Sequence, residues 1–313
     1  GGLTSLTNSG LSITEWELFK GLFPPFKQSS WEFYFDQYKK IPQYKILNQN
    51  MSLTEFKVIF YWEYFHRVIA RIIGLFFLIP LIYFYFTKKI NKNYMRSCYI
   101  IFLLILLQGS IGWYMVKSGL VNEVTVSHYR LSIHLTLAFI IISALFWLIK
   151  NIKNNENKYF FNINLKNIEF IILIFLIFLQ IVLGAFVSGL DAGKIYQTWP
   201  LMGSTYFPND IVFEKNVNTI IDFNNHSLVQ FYHRNLAYLI TFYILILGFY
   251  IFKNNIKDLF YPYKLLISFL FLQILLGIYT LISGLNIFLA SAHQINSVIL
   301  VFSAINLYYF RTK

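Results

Sequence analysis

Four histidines lie at related positions within the long apolar stretches of this 313-residue chain. Each is followed four residues later by a small residue, and positions i and i+4 share one helix face. The pairs are His66 and Ala70, His134 and Ala138, His233 and Ala237, and His293 and Ser297. An imidazole above a flat gap on two facing helices is what a planar macrocycle needs, and histidine commonly binds haem iron. The pattern favours two haem sites, one formed by His66 and His134 and one by His233 and His293.

Two other interpretations of these histidines remain open. Imidazoles within a membrane can form interhelical hydrogen bonds, although four in duplicated register favour haem, because ionisable groups there are costly and usually functional. Zinc is disfavoured, since the helices carry no third and fourth ligand near each pair. The single cysteine, Cys98, excludes a disulfide framework and any multi-cysteine metal site. His128 and His226 lie at loop–helix edges without a repeat partner, and we expect them at the surface or interface.

One acidic residue distinguishes the first histidine pair from the second. Glu63 precedes His66 by three residues, whereas Gln230 occupies the matching place before His233. The i,i+3 spacing places the carboxylate beside His66, where it can act as a base, stabilise a developing cation or shuttle protons. An i,i+4 ion pair with Arg67 is the alternative. We predict that Glu63 is catalytic, that the first pair binds a substrate-like haem, and that the second pair binds a resident haem.

Four arginines lie near the outer ends of the same apolar stretches: Arg67, Arg71, Arg130 and Arg234. Bidentate contacts with haem propionates would suit these guanidinium groups. Snorkelling to lipid phosphates would suit them equally well. The sequence therefore predicts propionate partners here but leaves both interpretations open.

The segments that carry these residues have the composition of membrane spans. Hydrophobic residues make up 57% of the chain and charged residues 13%, against about a quarter charged in ordinary globular proteins. A soluble enzyme is therefore excluded. Seven blocks approach the ~20 apolar residues that a bilayer-crossing helix requires. They lie at about 60–87, 97–116, 127–149, 168–189, 230–252, 263–284 and 288–309. A capping box formed by Ser52 and Glu55 predicts that the first helix starts above the membrane surface.

The net charge of +12 is explained by topology. Half of the 26 basic residues lie in alternate short segments, and the positive-inside rule assigns these segments to the cytoplasm, or to the matrix of a mitochondrion. They are Lys88, Lys89, Lys92, Arg96, Lys150, Lys153, Lys158, Lys166, Lys253, Lys257, Lys264, Arg311 and Lys313. The positive charge therefore does not indicate a nucleic-acid partner. The opposite side carries the long segments 1–59 and 190–229, which we expect to form structured caps.

The two halves of the chain repeat each other. The stretch 64–70 matches 231–237, and Gln108, Gly112 and Ser118 match Gln273, Gly277 and Ser283 at identical spacing, with a further copy in Gln180, Gly184 and Ser188. A parallel duplication predicts an all-α polytopic bundle of two tandem four-helix units, residues 1–155 and 156–313, related by a pseudo-two-fold axis along the membrane normal. Because residues 1–4 are not a translation start, we expect a first span to precede residue 1.

At this point the chain resembles the haem A synthases, particularly those of alphaproteobacteria and mitochondria. The resemblance covers essentially the whole chain and is carried by residues 1–16, 62–71, 129–135, 192–202, 230–238 and 291–294. It implies oxidation of the C8 methyl of haem O to a formyl group, through hydroxymethyl haem, to give haem A for cytochrome oxidase. It also implies an eight-helix duplicated bundle. The ligands it implies are His66 and His134 for haem O in the N-terminal half and His233 and His293 for an electron-passing haem b, with Glu63 as the essential glutamate.

The chain departs from the family pattern at three places. Ser5 stands where the opening motif usually has arginine, and residues 199–203 lack the acidic residue that often follows the methionine. The cysteine pair of some bacterial relatives is absent, which predicts that no redox disulfide regulates this protein. None of these departures touches the proposed ligands.

The resemblance also predicts a location and partners. We expect a bacterial plasma membrane, or the mitochondrial inner membrane in a eukaryote, with an electron donor, haem O synthase, cytochrome oxidase assembly factors and a homo-oligomer as candidate partners. A non-catalytic b-type cytochrome is one alternative, for which the difference between Glu63 and Gln230 would be incidental. A transporter with histidines as proton relays is another, and it would be colourless.

Overall fold

The computed structural model describes residues 1–16, 20–161, 164, 166–211 and 221–312. These parts of the chain contain ten α-helices, short 3₁₀ turns and one isolated bridge between Met202 and Thr205, but no strand. The helices are α1 (Gly2–Leu6), α2 (Gln28–Tyr38), α3 (Pro42–Leu47), α4 (Leu53–Thr87), α5 (Lys92–Asn122), α6 (His128–Asn154), α7 (Ile168–Gly189), α8 (His226–Lys253), α9 (Phe260–Ile282) and α10 (Ile287–Arg311). The predicted all-α class is confirmed.

Helices α4 to α10 are long and apolar enough to cross a membrane. Their most apolar 18-residue windows have mean hydropathies between 1.5 and 3.1. These seven helices correspond to the seven predicted spans, and the protein is an integral, multi-pass membrane protein. Arg311 ends α10, whereas Lys313, the last predicted basic anchor, lies outside the described residues.

Two helices begin or end at residues other than those predicted from hydropathy, because local backbone interactions determine these outer ends. α4 begins at Leu53 because the predicted capping box forms: the Ser52 hydroxyl accepts from the Glu55 amide, and the Glu55 carboxylate accepts from the Ser52 amide at 2.8 Å. α9 ends at Ile282, two residues earlier than predicted, because Gly284 adopts a φ of 73°. Such a left-handed residue just past a helix end terminates the helix.

The chain forms two compact units. The first comprises residues Gly1–Leu137, with α1 to α5 and the start of α6, and the second begins at Ala138. The division into residues 1–155 and 156–313 rests on the sequence repeat and remains a prediction, as does the axis relating the two halves.

In the first unit, the segment before α4 forms the predicted cap. Residues from α2 pack against the outer turns of α4, and Trp31 meets Phe60 edge-to-face at 5.0 Å while Phe35 meets Phe56 at the same distance. Leu11 and Ile13, from the segment after α1, are buried in this cluster. Each such aromatic pair contributes about 0.5–1.5 kcal/mol beyond its buried area. The cluster therefore holds residues 11–13 against the outer end of α4.

In the second unit, α7 packs on α8 and α10, and α9 packs on α10. The segment after α7 is fastened to the start of α8 through Asp210, whose carboxylate accepts from the Tyr196 hydroxyl at 2.6 Å and from the Ser227 hydroxyl at 2.7 Å. Burial acts to raise the pKa of Asp210, but these hydrogen bonds hold the pKa below its usual value. An ionised Asp210 thus anchors this outer segment.

Candidate functional site

The structure brings His66 on α4 and His134 on α6 together in the first unit. Their ring centres lie 6.5 Å apart and their planes meet at 77°. A metal held at about 2 Å from one nitrogen of each ring, the usual metal–imidazole distance, requires ring centres about 6–7 Å apart. His66 and His134 are therefore spaced so that they would hold one haem iron between them.

Each of the four histidines packs against a glycine on an earlier element. A Cβ atom added to Gly112, Gly184 or Gly277 would lie 3.0, 3.2 or 3.0 Å from the Cε1 atom of His134, His233 or His293, respectively. A Cβ added to Gly1 would lie 3.5 Å from Cε1 of His66. The sequence repeat marked three of these glycines without giving them a function. Their constant distance from the preceding glutamine was the available signal.

Those glutamines fasten the glycine-bearing helices to the histidine-bearing ones. The Gln108 side chain donates to the backbone carbonyl of His134 at 3.0 Å, and Gln180 donates to that of His233 at 2.9 Å. The Gln273 amide nitrogen lies 3.3 Å from Nε2 of His293. Because glutamine and glycine are four residues apart, both face the neighbouring helix. The repeated glutamine and glycine pair therefore fixes the alignment of the neighbouring helix beside each imidazole.

The histidines have unused nitrogen atoms in buried surroundings. The Nδ1 atoms of His134, His233 and His293 are buried without a hydrogen-bond partner in the described part of the chain. A buried polar atom left unpaired costs free energy, so such atoms usually have a partner. No group of three or more His, Cys, Asp or Glu side chains converges among the described residues. Paired imidazoles fit haem iron better than they fit a four-ligand zinc site.

Three of the histidines occupy equivalent heights on their helices. His134, His233 and His293 follow the first residues of α6, α8 and α10 by six or seven positions. His66 follows the start of α4 by thirteen, because the capping box extends that helix outward. All four lie in the N-terminal halves of their helices; that these halves face the outer side of the membrane remains a prediction.

Glu63 is buried and fully engaged by its neighbours. Its Oε2 atom accepts from the Ser12 hydroxyl and from the Ile13 amide, each at 2.8 Å. Its Oε1 atom accepts from Nε of Arg67 at 3.0 Å and also from the terminal guanidinium nitrogen. The ion pair considered from the sequence is therefore present, and Glu63 also fastens the segment after α1. The catalytic role of Glu63 remains a prediction.

The arginines predicted as propionate partners contact the protein in this structure. Arg67 donates to the carbonyl of Ile13 at 3.0 Å, and Arg234 donates to the carbonyls of Tyr196 and Thr198 at 2.9 Å. Both arginines thus secure the outer segment of their own unit.

The other two arginines also contact the protein. Arg71 approaches the Gly21 carbonyl at 3.4 Å, and Arg130 pairs with Glu123 at 3.4 Å. Nε of Arg234 is buried without a hydrogen-bond partner among the described residues, so its N–H is available to donate to a carboxylate. The propionate contacts remain predictions for all four arginines.

Gln230, the counterpart of Glu63, also anchors the outer segment of its unit, but through an uncharged amide. Its side-chain amide donates to the Tyr196 carbonyl at 2.9 Å. The two units therefore share an anchoring position at which only the first unit carries a carboxylate.

The remaining histidines divide between surface and interior. His226 is exposed, as expected. His128, the first residue of α6, is 7% exposed and its ring is tilted at 39° to that of Tyr129 with ring centres 4.0 Å apart, so its side chain is buried rather than at the surface, and the interfacial alternative remains a prediction. A single residue at a helix start has no periodicity, and its burial depends on packing that the sequence does not reveal.

The fold and site define a class of protein: a multi-pass helical membrane protein in which α4 and α6 bring two imidazole rings to a separation of 6.5 Å. The family model for COX15-CtaA, a cytochrome oxidase assembly protein, matches residues 1–305, and the chain belongs to this family. The "Heme A synthase" of Pelagibacter ubique is 51% identical over 97% of this chain and 88% of that protein. Those of Flavobacterium psychrophilum and Ehrlichia ruminantium (strain Gardel) are 41% and 42% identical over 96% and 99% of this chain and 89% and 87% of their own lengths. The resemblance found from the residues is confirmed.

Proposed function

We propose that the protein is a haem A synthase that oxidises the C8 methyl of haem O to a formyl group, through hydroxymethyl haem, and so supplies haem A for cytochrome oxidase. The observation that carries this proposal is the 6.5 Å separation of the His66 and His134 rings. Membership of the COX15-CtaA family and the names of the relatives support the same reaction.

In this proposal the two histidine pairs have different occupants. His66 and His134 hold the substrate haem O in the N-terminal unit, residues 1–155. His233 and His293 hold a resident haem b in the C-terminal unit, residues 156–313, and that haem supplies one-electron transfer when bound. The glycines leave room for the imidazoles, and the glutamines hold the helices that carry them.

Glu63 acts on the substrate mainly through its charge. Its carboxylate oxygens accept from Ser12, Ile13 and Arg67, and these donors hold the carboxylate in a fixed position. A fixed negative charge one helical turn outward of His66 favours positive charge that develops on the substrate during oxidation. The aromatic cap on α4 limits the access of water to this end of the unit.

The proposed reaction also requires partners. Haem O synthase would supply the substrate, and cytochrome oxidase assembly factors would receive haem A. Oxidation of the methyl group would also need an external oxidant to take up the electrons that the substrate loses, and an electron donor would act through the His233 and His293 pair. We also propose that Arg67, Arg71, Arg130 and Arg234 contact haem propionates, and that the protein forms a homo-oligomer.

The test is to extract the pigment from the purified protein after co-expression with a haem O synthase and to separate haems B, O and A and hydroxymethyl haem. We expect haem B together with haem O and its oxidised products. Haem B alone would instead identify a b-type cytochrome, and a colourless protein would identify a transporter.

A further inference from the structure

A cavity of about 230 Å³ opens at the outer end of the first unit, beside the residues next to both histidines. It is lined by residues 13–16, by Arg67 on α4, and by Trp113 and Lys117 on α5. Arg67 directly follows His66, and Trp113 directly follows Gly112, the glycine that contacts His134. We call this space the outer cavity.

The outer cavity combines two cations with two indole rings. The Arg67 guanidinium lies 5.1 Å from the ring centre of Trp16, and the Lys117 ammonium lies 4.9 Å from that of Trp113. Arg67 is paired with Glu63, whereas Lys117 has no ion pair among the described residues. Glu15 also lines the cavity and is exposed. Lys117 is therefore the cation that an incoming anion can use without displacing a protein carboxylate.

The corresponding positions on α9 lack this combination. Gly112 corresponds to Gly277 in the sequence repeat, so Trp113 and Lys117 correspond to Ile278 and Ile282. The histidine, glycine and glutamine positions are preserved between α5 and α9, but the cation and the indole are not. The outer cavity is thus a feature of the unit that we propose binds an exchangeable haem.

We propose that the outer cavity binds the carboxylates of the substrate haem, with Lys117 as the residue that selects the diacid. The inference rests on the proposed function, because it takes the ligand of His66 and His134 to be haem O. Lys117 lies five residues beyond Gly112, about 7.5 Å further out along α5 at 1.5 Å per residue. The carboxylate arms of a haem project beyond one edge of its ring, and an edge directed outward places them at this height.

The chemistry of Lys117 suits a ligand that must enter and leave. An ammonium group is a compact, hydrated point charge on a flexible stem, so it attracts a carboxylate without the fixed bidentate geometry of arginine. Its exposure makes the attraction sensitive to salt. The indole rings of Trp16 and Trp113 offer apolar faces to the methylene groups of the arms.

The experiment compares two probes, haem O and its dimethyl ester, in titrations of the full-length protein that retains its resident haem. We expect the wild-type protein to bind the diacid more tightly than the diester. Lys117→Ile, which installs the residue of the second unit, should reduce this preference about fivefold, the effect of losing roughly 1 kcal/mol of ion pairing. Lys117→Arg should retain the preference, and Glu15→Gln should increase it by removing a like charge.

The matched control is Lys194→Ile. It removes an exposed lysine from the second unit, where Lys194 pairs with Asp191 at 2.8 Å. We expect it to leave the diacid preference unchanged, and unchanged content of resident haem in Lys117→Ile would show that this variant is folded. An equal preference in Lys117→Ile and wild type would overturn the proposal, as would wild-type protein that binds both probes equally, the result expected of a cavity filled by lipid.

Haem A formation is assayed separately on the same preparations. A Lys117-dependent diacid preference without haem A formation would leave the carboxylate site standing and reject the proposed reaction. Haem A formation with no Lys117-dependent preference would reject the carboxylate site alone.

Discussion

The glycine beside each histidine leads to a site-selective prediction. In Gly112→Ala the new Cβ atom would lie 3.0 Å from Cε1 of His134 and displace the ring, which costs about 1–3 kcal/mol in a packed interior. We expect loss of haem from the first unit with the resident haem retained. Gly277→Ala should have the opposite selectivity, because its Cβ would meet His293 at 3.0 Å. Haem extraction and separation measure both.

Gly109→Ala is the matched control for that experiment. It lies on α5 like Gly112, but a Cβ added there meets nothing within 4 Å. It should keep wild-type haem content. Equal haem loss in Gly109→Ala and Gly112→Ala would mean that an added methyl group disrupts α5 at either position. The contact between Gly112 and His134 would then not account for the haem loss.

A second residue-scale prediction concerns Glu63→Gln, which installs the amide found at Gln230. We expect haem A formation to fall at least tenfold while bound haem stays near the wild-type amount, because the fixed negative charge is lost. Ser12→Ala is the control, since it removes one donor to Glu63 and keeps the carboxylate. Product analysis by chromatography measures the effect. Full haem A formation in Glu63→Gln would reject the catalytic assignment.

The residues of the site differ in how far the sequence could reveal them. The histidines were predictable because residue type and repeat position sufficed. The anchoring of Glu63 by Ser12 and Ile13 was not, because these residues lie about fifty positions away and meet it only after the cap folds on α4. The contacts of Gly112 and Gln108 likewise depend on the pairing of α5 with α6.

At the scale of the helices, we expect the hydrogen bond from Gln180 to stabilise the packing of α7 against α8. Its amide donates to the His233 carbonyl at 2.9 Å, and such interhelical bonds in membranes are worth about 0.6–1.7 kcal/mol. Gln180→Leu should lower the thermal midpoint by a few degrees and should reduce haem bound by the second unit. Both are measurable by following haem absorbance during heating.

Thr241→Val provides the comparison within α8. Among the described residues, the Thr241 hydroxyl bonds only to the Ala237 carbonyl of its own helix, so its loss should leave the thermal midpoint close to that of the wild type. A midpoint for Gln180→Leu as high as that of Thr241→Val would show that the interhelical bond does not set the register of α7.

The helices themselves were largely predictable, and their ends were less so. Hydropathy found all seven spans because each needs a long apolar run. It placed the start of the first span at residue 60 rather than at Leu53, since it ignores backbone caps, although Ser52 and Glu55 signalled the true start. α5 continues to Asn122 past Lys117, because a helix tolerates polar residues once it leaves the hydrocarbon region.

On the scale of the whole molecule, a repeated arrangement accounts for the fold. A glycine on one element faces a histidine on a later helix four times along the chain, twice within each unit. Three of these glycines are preceded by a glutamine that bonds to the same histidine's backbone or ring. A tandem duplication explains why the arrangement recurs, whereas the difference between Glu63 and Gln230 and the outer cavity distinguish the two copies.

The orientation in the membrane follows from the charges and can be tested with single cysteines. With Cys98→Ser as the background, Lys89→Cys adds a thiol to the basic segment between α4 and α5, and Asn224→Cys adds one before α8. Both positions are exposed. The positive-inside rule predicts that a membrane-impermeant maleimide labels Asn224→Cys in intact bacterial cells and labels Lys89→Cys only after permeabilisation. Because the predicted topology places all four histidines on the same side of the membrane as Asn224, the opposite labelling would place both proposed haem sites near the cytoplasmic face and would reject the assigned topology.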